Sequence, residues 1–256
     1  MRVLRSVAWN TFLEALRDKI FYLLVFFGIF LFGASRLLAP LALGEGRRVT
    51  LDVGLASVSI FGCLIVIFVG HQLIFREVER KTLYFLFARP IRRAEFIWGK
   101  YFGLALTLAV SVAAMGLLLA AVLWVSRYEF GFALLQALVF VFLELSILAA
   151  LAVLVAAFTS PVLAGLITLA AYLIGHGSGE LLELLNQAAS PPARAVLHAA
   201  AWLIPRLDLY SQMLPVLRGD PWGAGQCFYA VGYAAAYSAA CLTLAATVLS
   251  RRELSL

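Results

Sequence analysis

Charge is what this sequence has least of. Only 13% of its 256 residues are Asp, Glu, Lys or Arg, 64% are hydrophobic, and mean hydropathy is +0.98. An ordinary soluble domain carries about 25% charged residues. That balance excludes a soluble globular enzyme and points to a membrane protein with several spans. A GxxxxGK[ST] phosphate loop is also lacking, so ATP chemistry has to come from another chain. Cysteine is scarce: Cys63, Cys227 and Cys241 lie far apart in apolar surroundings without a CxxC, and read as small buried hydrophobes. Cys63, His71, Met115 and Met213 lack ligand spacing and fall at different depths, which argues against a metal site. The string "GHGSGE" at 175–180 would mark an intramembrane serine protease only if another span held a histidine within reach of the serine. No later span carries one, and glycines at a helix end explain the string. The net charge of +6 is no argument for a nucleic-acid partner, because in such a chain the sidedness of the basic residues is what matters.

What is there is a series of long apolar runs. A spanning helix needs about 20 mostly apolar residues, and spans are expected at about 20–41, 53–75, 97–126, 131–158, 161–177 and 223–249. The fourth and fifth come from one run, Phe130 to Gly179, in which only Glu144 is charged. It is too long for a single span at about 1.5 Å per residue. "FTSPVLAG" divides it, with Ser160 at the N-cap and Pro161 at the first helical position. Ahead of the first span, residues 3–18 place Val3, Val7, Phe12, Leu13 and Leu16 at roughly helical spacing, predicting an amphipathic helix at the membrane surface. The apolar run starts only after Glu14, Arg17, Asp18 and Lys19, with no clean cleavage site, so this segment is expected to be retained. Residues 178–222 form a long segment before the last span. Within it "ARAVLHAAAWLIP" is too short to span and reads as re-entrant or interfacial, while Trp202, Tyr210 and Trp222 suit an interfacial belt. The expected fold class is an all-α polytopic membrane protein, one domain over 1–256, with six transmembrane helices, a surface helix and short outer re-entrant helices.

The basic residues orient it. With the N-terminus in the cytoplasm, thirteen of the twenty Lys and Arg fall inside and seven outside, which places both termini in the cytoplasm. Residues 76–96 then form the one large cytoplasmic loop.

That loop lies in "IFREVERKTLYFLFARPIRRAEFIWGKYFG", 74–103, where Arg76 to Lys100 holds seven basic and three acidic residues. A basic tether on anionic headgroups, at about 1 kcal/mol per Lys or Arg, accounts for the charge alone. It does not account for "LYFLFAR", an apolar stretch that Thr82 can cap and that Pro90 ends. A greasy two-turn helix outside the bilayer needs the membrane surface or a partner's groove to pack against.

The pattern E-x-E-R-K-T-L-x-x-L-x-x-R-P-I-x-R-x-E-F-I-x-G-K resembles the loop after the second span in ABC-2 type transporter permeases, with the NosY-like permeases as the nearest branch. Surface helix, six spans, tight fourth-to-fifth turn and long outer segment match in organisation over essentially the whole chain; about thirty residues match at motif level. Lys81 departs from the glycine usual there, which bears on how the capping turn is built. The resemblance implies that 82–89 is a coupling helix docking in a cleft of a separate ABC ATPase, of which two copies would serve a pair of permeases. Thr82, Leu83, Phe85, Leu86, Arg89 and Pro90 would make the joint. Glu77 and Glu79 would brace the surface helix or meet basic residues of the ATPase, and Arg92 and Arg93 would hold the loop at the headgroups. It further implies a homodimeric exporter subunit of the bacterial inner membrane that does no chemistry itself and binds no cofactor, with ATP and Mg on the partner. Apolar spans lean the cargo towards a lipidic or amphipathic molecule.

Glu144 is the one acidic residue deep in a span. Its burial costs a few kcal/mol unless it faces a partner or a cavity, so it marks either a helix or dimer interface or the pathway. Two other functions stay open from the residues: a self-contained secondary transporter, which would want several ionisable residues at mid-membrane or broken helices in repeated halves, and a membrane assembly factor without an ATPase.

Overall fold

The computed structural model describes residues 2–17, 20–38, 45–70, 93–128, 131–177, 179, 205–211 and 223–251. Most of these are helical: α1 Arg2–Arg17, α2 Ile20–Leu38, α3 Gly46–Gly70, α4 Arg93–Val125, α5 Phe132–Ala156, α6 Pro161–His176, α7 Asp208–Ser211 and α8 Ala224–Arg251. Four segments among the described residues are long and apolar enough to cross a membrane: Gly46–Gly70, Ala94–Val125, Phe132–Ala156 and Ala224–Val248. The apolar α6, at 16 residues, lies just below the range of about 17–25 usual for a span.

α5 is the hub, contacting α3, α4, α6, α7 and α8. Its sequence is apolar on every side, as a helix enclosed by others must be, and Leu145, Leu148, Ala149 and Val153 are fully enclosed. Small residues set the closest approaches. A Cβ on Gly62 of α3 would overlap the Leu145 side chain, so α3 and α5 meet there only because position 62 has none. The helix ahead of the first apolar run does not stand apart: α1 runs along α4, where Gly103 admits Thr11 and the Ala8 carbonyl.

Two turns fix the hairpins. α4 closes with Arg127 in the left-handed region, φ 58, while the Tyr128 and Arg127 amides donate to the Leu123 and Trp124 carbonyls. This is a Schellman closure built on arginine where glycine is usual. Between α5 and α6, Ser160 is extended and Pro161 opens the next helix, but the serine side chain makes no capping bond. Thr159 caps instead from the other end, its hydroxyl donating to the Val155 carbonyl at 2.8 Å. A four-residue turn makes α5 and α6 antiparallel neighbours, and that positions the site.

Candidate polar cavity between α3, α5 and α6

Antiparallel helices joined by a short turn bring residues equidistant from the turn to the same height. Glu144 lies about 18 Å up α5 from its end at Ala156, and His176 about 22 Å along α6 from Pro161, at about 1.5 Å per residue. The two therefore face each other, and Ser59, midway along α3, completes the level. Glu144, 2% exposed, is held there by the side chains around it. Ser59 Oγ donates to Glu144 Oε1 at 2.8 Å. With its one proton committed, the serine oxygen accepts from the Tyr172 hydroxyl, 2.8 Å away. His176 Nδ1 lies 3.0 Å from the Tyr172 carbonyl, which can only accept, so Nδ1 carries a proton and Nε2 is turned to Glu144 Oε1 at 3.4 Å. The Tyr172 and His176 rings lie 4.4 Å apart, which fixes the imidazole plane.

α6 ends at this level because another piece of chain comes in over it. The Leu207 amide donates to the Gly175 carbonyl at 3.2 Å, using an acceptor that the helix end leaves free. A Cβ on Gly175 would stand 2.8 Å from the Pro205 carbonyl oxygen, so only glycine admits that backbone. Leu207, Asp208 and Tyr210 are buried, and the Tyr210 hydroxyl donates to the Ala230 carbonyl of α8 at 2.8 Å. Arg206 and Asp208 meet each other at 3.4 Å, and the Arg206 amide donates to Tyr233, anchoring the segment. Backbone that is not helical at such depth is tolerated where protein buries it or where it lines a cavity.

There is a cavity. It measures about 250 Å³ and is lined by Ser59, Glu144, Tyr172, His176 and Tyr210 on its polar side and by aliphatic side chains of α3 and α5 on the other. Of its lining residues, Ala56 and Ile60 of α3 are exposed on the outer face of the bundle. Among the described residues no group of three or more His, Cys, Asp and Glu is arranged for a metal ion. Cys63 and Met115 are buried in the core.

Of the site residues expected from sequence, Glu144 is the one the structure places. Glu77, Glu79, Thr82, Leu83, Phe85, Leu86, Arg89, Pro90 and Arg92 lie outside the described residues, as do His71 and Met213. Within the motif, Lys100 is buried in α4 with its ammonium 5.6 Å from the Phe96 ring centre. Ser59, Tyr172 and His176 are the members of the cluster that the sequence reading did not gather.

A family model for ABC-2 family transporter proteins matches residues 5–254, so the chain belongs to that family. With its long apolar helices it is a multi-pass membrane protein, from a family of membrane transport components that normally pair with an ABC ATPase. No curated protein matches the sequence significantly.

Proposed function

We propose that this ABC-2 family chain is the permease subunit of an ATP-driven exporter, in which two permease copies and two copies of a separate ATPase move an amphipathic or lipidic cargo out of the cytoplasm. The observation that carries the reading is the family match over residues 5–254. In this reading α2, α3, α4, α5, α6 and α8 are the six spans of a single 1–256 domain, with both termini in the cytoplasm of a bacterium and the protein in its inner membrane. Residues 82–89 are the coupling helix, with Glu77, Glu79 and Arg92 setting its register, and ATP and Mg reside on the partner. Val162, Leu166 and Leu173 of α6 are more than half exposed along one apolar face, a surface for lipid or for the second permease copy of this reading. Membership of the NosY-like branch rests on the loop motif.

Affinity purification of the tagged chain in mild detergent tests it, with the wild-type loop and with Phe85→Asp and Leu86→Asp combined. An ABC ATPase recovered with wild type and lost with the double variant is the expected result. Recovery of no nucleotide-binding subunit with wild type would return the loop to a membrane tether. It would favour the second reading, a self-contained secondary transporter. That reading draws on one observation: an ionisable pair, Glu144 and His176, beside a helix that stops short in the bundle.

A further inference from the structure

The cavity beside Glu144 has an unusual hydrogen-bond balance. Its donors are already engaged: Ser59 on Glu144, Tyr172 on Ser59, His176 Nδ1 on the Tyr172 carbonyl, and Tyr210 on the Ala230 carbonyl. What remains towards the space is acceptor capacity. Both contacts to Glu144 fall on Oε1, and among the described residues Oε2 accepts no hydrogen bond. Among the described residues no Lys or Arg lines the cavity and His176 is turned to Glu144, so a phosphate or carboxylate entering it would meet the Glu144 carboxyl with no fixed counter-charge of its own, at a high cost. Tyr172 and Tyr210, which both line the space, carry ring quadrupoles that favour a cation over an anion nearby.

Size and opening restrict the ligand further. At about 250 Å³ the space falls below the roughly 300–1,000 Å³ of sites that enclose a whole drug-sized molecule. A head group fits, and the remainder leaves past Ala56 and Ile60 onto an apolar outer face.

We propose that this cavity binds the amine head of an amphipathic molecule, with Glu144 as counter-ion and the tail extending between Ala56 and Ile60. The pairing needs no particular starting protonation. A carboxylate accepts from an ammonium, and a carboxylic acid gives its proton to a free amine, so both routes end at the same ion pair. As the cargo class of the exporter it rests on the permease reading; as a binding site it rests on the cavity alone.

Native mass spectrometry of the full-length protein, released from non-ionic detergent, measures retention of dodecylamine, dodecanol and dodecanoate, three heads on one tail. A charge-assisted hydrogen bond contributes about 1.5–3 kcal/mol, so dodecylamine should bind about 10–100-fold more tightly than dodecanoate. Glu144→Gln should abolish that preference. Ala56→Phe, at an exposed position of the lining, should weaken dodecylamine by about tenfold or more, and it carries the result if the Gln variant fails to fold. Equal retention of all three probes, or insensitivity of dodecylamine to whichever of these variants fold, overturns the site as mere partitioning on apolar surface. Preference for dodecanoate overturns it by showing a cavity of donors. ATPase recovery from the same preparations is a separate readout, so loss of the amine site leaves the permease reading standing, and the reverse.

Discussion

α3 and α5 touch in two ways within one turn of helix. At Gly62 the contact is dry: a missing side chain lets Leu145 sit against the α3 backbone, fully enclosed. At Ser59 it is polar, with Glu144 drawn into a chain of hydroxyls and an imidazole beside a cavity. The two have different physical currencies. Packing of small residues drives helix association in a bilayer, where there is no hydrophobic force between apolar helices, while an interhelical hydrogen bond contributes only about 0.6 kcal/mol on average. A carboxyl group buried at such depth also carries a desolvation cost. The dry contact should therefore hold the fold, and the polar one should be dispensable for it while governing what the cavity does.

The sharpest way to break that contrast is Gly62→Leu. Overpacking of a tight contact costs about 1–3 kcal/mol, and here α3 must move off α5 or Leu145 must leave its place. Part of the loss is returned by replacing glycine inside a helix, at about 1 kcal/mol. The expected outcome for a leucine is a net loss of up to about 2 kcal/mol, read as a lowered unfolding midpoint in detergent and poor recovery of folded protein. An unchanged midpoint would show that the α3–α5 contact is not where stability resides.

How far each contact was visible beforehand follows from its chemistry. The helical class and the division at Ser160–Pro161 are local signals, a run of apolar residues and a proline that can only open a helix. Glu144 stood out because one formal charge in the fifty residues from Phe130 to Gly179 is an anomaly in any frame. Its partners did not, because Ser59 and Tyr172 are ordinary residues 85 and 28 positions away, and His176 hides among glycines that read as a helix end. One signal was available: once the turn at 157–160 is placed, Glu144 and Tyr172 lie roughly fourteen residues either side of it and must share a level. The approach of residues 205–211 over α6 had no such marker, since it depends on Gly175 admitting a backbone distant in sequence. The loop at 76–96 is the reverse case, strongly marked by charge and motif.

A middle-sized effect is expected from Glu144→Leu, which removes the carboxyl group while keeping an apolar side chain in a mostly apolar wall. Losing one interhelical bond costs about 0.6 kcal/mol, and at most about 1.7, against which the desolvation cost of the carboxyl is recovered. Folded yield and unfolding midpoint should stay within about 1 kcal/mol of wild type while dodecylamine retention disappears. A collapse in stability as large as that of Gly62→Leu would erase the division between the two contacts and make Glu144 a structural member of the bundle.

The smallest effect belongs to Tyr172→Phe. The hydroxyl does not touch Glu144; it donates to Ser59 Oγ and so turns the serine proton towards the carboxylate. Phenylalanine keeps the ring beside His176, where the centroids are 4.4 Å apart, and leaves the imidazole bonded to the backbone carbonyl of residue 172. Only one hydroxyl bond is lost, at about 0.6 kcal/mol, which corresponds to roughly a threefold weakening of dodecylamine and an unfolding midpoint close to wild type. Amine retention measured on this variant locates the boundary of the site. A loss as complete as that of Glu144→Leu would mean that the hydroxyl itself meets the ligand, and that Ser59 and Tyr172 act with the carboxylate as one acceptor surface. A threefold change confines the head group to Glu144 and leaves the hydroxyls as its support.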